Sequence, residues 1–322
     1  MKSYLVAGGA GFLGSYVSER LLLGGNRVVV IDNFSTGSPN NATLLTAFSE
    51  CEVFHLDICD AEAMKRVSDE RFDAVLNFAC PANPPYCFTH SIDVTRANTI
   101  GLFHLLDIAK ACGAVFFQSS SSEVYGNADV LPQSEDYVGH VNPYGIRACY
   151  DEGKRCAESL CYDYHRYYGL DVRVARIFNT YGPRMNPVDG RIVVQFMQNA
   201  LCGNPLIIYG SGVQTRSLCY VDDMIEGILQ LMFTKEMPPH PINLGSKEEL
   251  SVIDIAHTIL HVTGSNSEIV FEAGTPDDPQ RRCPDISLAR QLLGWTPLVS
   301  FETGIKNSLP YFQMITSCDK NL

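Results

Sequence analysis

Apolar positions in the first half of the chain form short runs separated by stretches of helical period. Ser3–Ala7, Arg27–Ile31, Glu52–Leu56, Ala74–Phe78, Ala114–Gln118 and Asp171–Ile177 are strand-sized, and the second of these is β-branched and runs into Asp32. Phe12–Leu23, Ile92–Cys112 and Tyr144–Tyr168 carry apolar residues at helical spacing. Strands alternating with helices predict an α/β fold, a doubly wound parallel sheet covered by helices on both faces. After Asn179 the pattern becomes irregular, broken by Pro183, Pro187 and Pro205 and by Gly182, Gly190, Gly203, Gly210 and Gly212. Helices are predicted at Arg191–Cys202 and near Val221–Phe233, Val252–Val262, Ile286–Leu293 and Glu302–Phe312, and strands around Leu206–Tyr209 and Pro241–Leu244. The expected organisation is a first domain over 1–178, to which part of 217–244 returns, and a smaller interleaved lobe over 179–322.

A length of 322 residues suits one large α/β domain or two lobes sharing a core. The formal charge of −12 repels phosphate backbones, so a nucleic-acid partner is not expected. An anionic ligand must instead meet locally placed arginines. The longest apolar runs, around Arg27–Ile31 and Gly203–Tyr209, fall well short of the roughly 20 residues of a membrane helix. Glycines interrupt the apolar start of the chain at once, so it reads as a strand and a turn rather than a secretory signal. Twelve cysteines include no C-x-x-C pair, and several, such as Cys112, Cys156, Cys161 and Cys202, lie in apolar segments. Buried free thiols are expected rather than zinc ligands or disulfides, with a cytoplasmic location. His257 and His261 share a helix face without an acidic third ligand nearby, so no metal is expected there. Trp295 reads as a packing residue.

Gly8, Gly11 and Gly14 form G-x-x-G-x-x-G between the first strand and the first helix. Glycine lets the backbone turn tightly and approach a pyrophosphate, which the helix N-terminus then faces with free N–H groups and a positive dipole end. A second strand ending in Asp32, 18 residues after Gly14, strengthens the dinucleotide reading, and hence a Rossmann-type sheet. A carboxylate at that point accepts both ribose hydroxyls and repels a 2′-phosphate, which favours NAD. Asp57 could contact adenine or cap a helix.

Tyr150 and Lys154 are four residues apart on a predicted helix, and so share a face. A phenol is a poor base at neutral pH. A neighbouring ammonium and a nicotinamide cation favour the phenolate, which makes proton abstraction from a sugar hydroxyl feasible. The run Ser119–Gly126 follows the fifth strand and brings hydroxyls and the carboxylate of Glu123 to the carboxyl end of the sheet, where open α/β folds bind ligands.

Together these elements resemble the extended short-chain dehydrogenase/reductases. Cys80–Pro85, Ser121–Gly126, Arg147–Arg155, Arg176–Asn186, Asp189–Arg191, Gln214–Ser217, Tyr220-Val221 and Asp277–Asp285 narrow the likeness to the UDP-glucuronate decarboxylases, across nearly the whole chain. The departures are Ala7 for threonine, Asn77 for histidine, Asn40-Asn41 for basic residues, and the loop Tyr86–Ser91.

The resemblance implies an NAD-dependent carboxy-lyase converting UDP-glucuronate to UDP-xylose through a 4-keto intermediate, with the cofactor recycled. It implies Tyr150 as base, Lys154 beside it, Ser121 on the carbon-4 oxygen, Glu123 with Ser122 at carbon 5, and Arg282 at the carboxylate or enolate. The cofactor would be held by Gly8, Gly11, Phe12, Leu13, Gly14, Asp32, Asn33, Ser35, Thr36, Gly37, Asp57, Ile58, Ala79 and Asn98, together with Tyr150 and Lys154. The substrate would meet Pro81, Tyr86, Glu123 and Tyr209, with Asn179, Arg191 and Arg216 on its diphosphate. A homodimer built on a four-helix bundle is also implied. The alternatives are a nucleotide-sugar 4,6-dehydratase or 4-epimerase of the same superfamily, or a non-catalytic NAD-binding sensor or scaffold. A dehydratase would carry Asp where this chain has Ser122, and a sensor has no use for the proton-transfer residues.

Overall fold

Leu5, Val6, Ala7 and the four residues Val28–Ile31 have no accessible surface. Strands buried on both faces show no alternation, which is why these segments are continuous apolar runs. A computed structural model describes residues 1–238, 240–273 and 281–318, with side chains to residue 316. Two units alternate along the chain. The first comprises Met1–Val124, Val141–Arg176 and Ile228–Ile242; the second comprises Tyr125–His140, Ile177–Gly227 and the residues from Asn243 onward.

The strands are β1 (Ser3–Ala7), β2 (Arg27–Asp32), β3 (Cys51–His55), β4 (Ala74–Asn77), β5 (Val115–Ser121) and β6 (Val172–Ile177). With Ile242–Leu244 they form one seven-stranded sheet, ordered Ile242–Leu244, β6, β5, β4, β1, β2, β3. β1 pairs in parallel with β2 and β4, in the registers Val6 to Val30 and Val6 to Leu76. The chain winds outward from β1 to β3 and then returns to β4 on the other side. The strand order therefore reverses between β1 and β4, the place where doubly wound sheets open a crevice at their carboxyl ends.

Helix α1 spans Phe12–Leu23 and α2 Pro39–Leu45; α3 is Ala61–Ser68 and α4 Pro84–Thr89. The last three are too short to show a helical period. The predicted helix Ile92–Cys112 is α5 (Ser91–Arg96), a π-helical turn (Ala97–Gly101) and α6 (Leu102–Cys112). π-Turns recur at functional sites, and this one contains Asn98. Helix α7 (Ala148–Tyr168) begins at Ala148 rather than Tyr144, because Pro143 and Gly145 break the pattern and Tyr144 is exposed. Its inner face brings Ala157 and Cys161 into a core with Leu102, Leu105 and Leu106 of α6 and Phe116 of β5. β5 continues through Ser121 with Ser119–Ser122 all buried, so the serine run is the end of a strand and not a solvated turn.

In the second unit Leu206–Tyr209 pairs in parallel with Ile269–Glu272, and Thr215–Ser217 antiparallel with Glu249–Ser251. Trp295 is buried and donates to the Asp223 carbonyl at 2.9 Å. His257 and His261 are exposed. The cysteine expectation needs correction. Of the four thiols singled out, Cys161 is buried, Cys112 is partly shielded, and Cys156 and Cys202 are exposed. Both exposed thiols lie on the outer side of amphipathic helices, where an apolar sequence neighbourhood says nothing about burial. Among the described residues no group of His, Cys, Asp and Glu could hold a metal ion.

Candidate active site

Gly8 leaves β1 with φ +74°, and its amide donates to the Ile31 carbonyl at 2.8 Å. A Cβ at Gly14 would stand 2.2 Å from the Gly8 carbonyl oxygen, so the turn into α1 closes only with glycine there. Gly11 lies between them as the residue before α1, and Phe12 and Leu13 open the helix. Asp32, at the end of β2, is buried and accepts from the Ala10 amide at 3.0 Å and the Phe34 amide at 2.8 Å. Burial raises its pKa above the usual carboxylate range, and the amides of Phe34, Ala10 and Gly11 pull the other way. The Ala10 carbonyl in turn accepts from Asn41 Nδ2 at 3.1 Å and the Ser38 amide at 3.0 Å. Asn41, one of the departures from the family pattern, thus ties α2 to the glycine turn.

Asn33 Nδ2 donates to Asp57 at 3.2 Å, and Asp57 also accepts from the Cys59 amide at 2.8 Å. The cap of α3 is Asp60, which accepts from Glu62 and Ala63. A cavity of about 570 Å³ is lined by Gly8, Gly11, Asp32, Asn33, Ser35, Thr36, Gly37, Asp57, Ile58 and Ala79, and also by Pro81 and Tyr86. A cradle without Cβ atoms at a helix N-terminus, a carboxylate at the second strand end and a volume of this order fit a dinucleotide. Tyr86 stacks on His90 with ring centroids 4.1 Å apart, so the departing loop folds as a short helix with a fixed aromatic pair.

Tyr150 lies in the first turn of α7, and Lys154 one turn further on is buried. The ammonium sits 5.6 Å from the Tyr150 ring centroid and donates to the Ser119 carbonyl at 2.8 Å. Burial pushes the Tyr150 phenol well above its ordinary pKa. Cys80, Glu123 and Cys87 act in the same direction, while a hydrogen bond with Ser121 opposes them. Ser121 Oγ also accepts from the Glu123 amide at 3.2 Å. Ser122 is buried beside it, and Ser120 donates to Glu158, which Arg176 clamps with two nitrogens. Asn98 Nδ2 donates to Val94 O at 3.0 Å and to Cys80 Sγ at 3.1 Å.

The first unit therefore gathers Tyr150, Lys154, Ser121, Ser122, Glu123 and Asn98 at the carboxyl end of its sheet. The second unit carries the remaining expected residues. Arg282 is buried, and its carbonyl accepts from the Ser217 amide at 3.2 Å, one residue after Arg216. Gln133 brackets this segment, donating to Cys283 O and accepting from the Asp285 amide, both at 2.8 Å. Arg191 pairs with Asp189, the Asn179 carbonyl accepts from Cys219, and Tyr209 is half exposed. Residues 277–280 of the quoted motif lie outside the described residues.

Sequence reasoning gave no role to three groups. Arg147 donates to Glu123 at 2.5 Å, with Asp151 3.7 Å from its Nε. Cys80 and Arg96 line the cavity, and Cys80 also acts on Tyr150. A signal existed for Arg147 alone, since it precedes Asp151 by one helical turn.

Residues 5–308 match the family model described as GDP-mannose 4,6 dehydratase. The chain is 44% identical over 312 residues to UDP-glucuronic acid decarboxylase 1 of Xenopus tropicalis, covering 97% of this chain and 72% of that protein. It is 43% identical over 302 residues to UDP-glucuronic acid decarboxylase 6 of Arabidopsis thaliana, covering 94% and 86%. Among solved structures it is similar to UDP-glucuronic acid 4-epimerase from Bacillus cereus in complex with UDP-glucuronic acid and NAD, with a TM-score of 0.88, 28% identity, and coverage of 97% and 99%.

Proposed function

The chain belongs to the GDP-mannose 4,6-dehydratase family of extended short-chain dehydrogenase/reductases, in the branch of the UDP-glucuronic acid decarboxylases, and from that membership we propose that it converts UDP-glucuronate to UDP-xylose and CO₂. The observation that carries this reading is the cluster of Tyr150, Ser121, Glu123 and Lys154 in the unit that holds the glycine-turn cavity, with Cys80 common to both. We assign the cavity to NAD, with Asp32 on the adenosine ribose and the amides of the Gly8–Gly14 turn on the pyrophosphate. When bound, NAD supplies a hydride acceptor at sugar carbon 4 and returns the hydride at the end of the cycle.

Tyr150 takes the proton from the hydroxyl at carbon 4, and Ser121 holds that oxygen by a hydrogen bond. Lys154 provides positive charge on the same helix face and is itself held by Ser119. Once carbon 4 is a ketone, the carboxylate on carbon 5 is β to it. CO₂ then leaves, and the ketone accepts the electron pair. Glu123, with Ser122, handles the proton at carbon 5. From the second unit we assign Asn179, Arg191 and Arg216 to the diphosphate, Tyr209 to the nucleotide sugar, and Arg282 to the carboxylate or enolate, because of their positions in the family motifs. Pro81 and Tyr86 are assigned to the sugar side on the same ground.

We also assign a homodimer to the exposed apolar side chains of the α5–α6 and α7 helices, including Ile92, Phe103, Tyr162 and Tyr168. The eleven free thiols among the described cysteines suit a reducing compartment, here the cytoplasm. No helix among the described residues is long and apolar enough to cross a membrane.

The deciding experiment incubates the purified protein with UDP-glucuronate, NAD and no added reductant. UDP-xylose identified by NMR, with one CO₂ per turnover, is the expected result. A 4-epimer of unchanged mass, or a product of another nucleotide sugar alone, would overturn it. Tyr150→Phe should bind NAD within a few-fold of the parent and lose turnover by about 10²–10⁴-fold.

A further inference from the structure

Glu123 acts on Tyr150, Asp151 follows Tyr150 in the chain and shares Arg147 with Glu123, and the proposed substrate brings a third carboxylate on its sugar. Like charges in a partly desolvated site repel strongly. Arg147 stands among the protein's two: its guanidinium meets Glu123 at 2.5 Å and Asp151 at 3.7 Å, and its side chain is 33% exposed against 16% and 11% for theirs. Lys154, the other cation of this cluster, is turned to the Ser119 carbonyl. Arg155 reaches the Val124 carbonyl at 3.0 Å and Glu152 at 3.6 Å.

We propose that Arg147 is a positioning residue that fixes the Glu123 carboxylate and offsets its charge, and thereby lets the site accept a sugar that carries a carboxylate of its own. This rests on the reading of the substrate as a nucleotide-linked uronic acid. The guanidinium fixes one carboxylate oxygen of Glu123, while Ser121 Oγ fixes the Glu123 backbone, so the side chain is held from both ends. Removing Arg147 takes away a positive charge that meets Glu123 just where the incoming carboxylate adds a negative one. The product has lost its carboxylate and makes no such demand. The residue should therefore discriminate between substrate and product by charge.

The test uses the NAD-loaded protein in a Tyr150→Phe background, which binds without turning over. Dissociation constants for UDP-glucuronate and UDP-xylose are measured by calorimetry. Arg147→Gln should weaken UDP-glucuronate by at least about tenfold and UDP-xylose by less than about twofold. Arg147→Lys, which keeps the charge, should recover most of that difference. Glu123→Gln, a second route that leaves Arg147 in place, should tighten UDP-glucuronate relative to UDP-xylose. Equal losses for both ligands in Arg147→Gln would mark a merely structural role and overturn the inference, as would an unchanged ratio in Glu123→Gln. Conversion of UDP-glucuronate by the parent protein reports on the substrate reading separately.

Discussion

The Lys154 ammonium donates to the main-chain carbonyl of Ser119 at 2.8 Å, joining the first turns of α7 to the end of β5. The same carbonyl accepts from Gln118 Nε2 at 3.0 Å, and Gln118 Oε1 accepts from Asn77 at 2.9 Å. The ends of β4 and β5 and helix α7 are thus locked together by buried polar groups. Asn77, one of the departures read from the sequence, supplies through its amide the donor that this network uses.

Lys154→Met keeps the length of the buried stem and removes the charge. The Ser119 carbonyl retains Gln118, so the fold should survive. Turnover of UDP-glucuronate should fall by about 10²–10⁴-fold, the usual worth of a positioned proton-transfer system. Steady-state rates beside a thermal melt check this, and near-parental turnover would remove Lys154 from the machinery.

Asp32→Asn keeps the shape and loses the charge that is expected to accept both ribose hydroxyls. NAD affinity should drop roughly 10–100-fold, in line with about 1.5–3 kcal/mol for hydrogen bonds to a charged group. The preference over NADP should shrink in titrations followed by fluorescence. The pKa of Asp32 is raised by burial, so parental NAD affinity should fall as pH drops through that raised value. Stability runs the other way. The folded state holds this proton more tightly than the unfolded chain does, so the contribution is present at low pH and is lost as pH rises through the folded pKa.

Gly14→Ala would set a Cβ 2.2 Å from the Gly8 carbonyl oxygen, and the neighbour is backbone that cannot swing away. The turn must open, at a cost of about 1–3 kcal/mol in stability. NAD binding should become undetectable by calorimetry, while circular dichroism still reports a folded protein. Retained cofactor binding would show that the turn does not hold the pyrophosphate.

Burial raises the Tyr150 pKa, and Glu123 acts in the same direction. With Tyr150 as the proposed base working as the phenolate, kcat/KM should climb with pH along its acid limb. Glu123→Gln removes one of the opposing negative charges. The acid limb should therefore move to lower pH even as the maximal rate declines. A limb that stays in place would disconnect Glu123 from the base.

Phe103 on α6 is 43% exposed, with its ring tilted against Tyr164 of α7 at a centroid distance of 6.3 Å. If these helices form the dimer, Phe103→Arg should convert it to monomer in sedimentation experiments. A dimer of unchanged strength would place the interface elsewhere.

The sequence by itself determined what depends on spacing within one element. The period of apolar positions set Ser3–Ala7 and Phe12–Leu23 to the residue and located the elements at Leu206–Tyr209 and Val221–Phe233, and the spacing of four put Tyr150 and Lys154 on one face, because helix and strand geometry are local. The glycine turn followed by Asp32 was legible for the same reason. Tertiary structure decided what joins residues distant in sequence. It carried the serine run into a buried strand and turned Lys154 to Ser119. It also set Arg147 on Glu123 and brought Cys80 to Tyr150, while leaving Cys156 and Cys202 exposed. Those contacts arise only when the crossovers stack β4 beside β5 and lay α7 over them. No local period encodes such a stacking, so only the folded chain could reveal the Arg147 guanidinium beside Glu123.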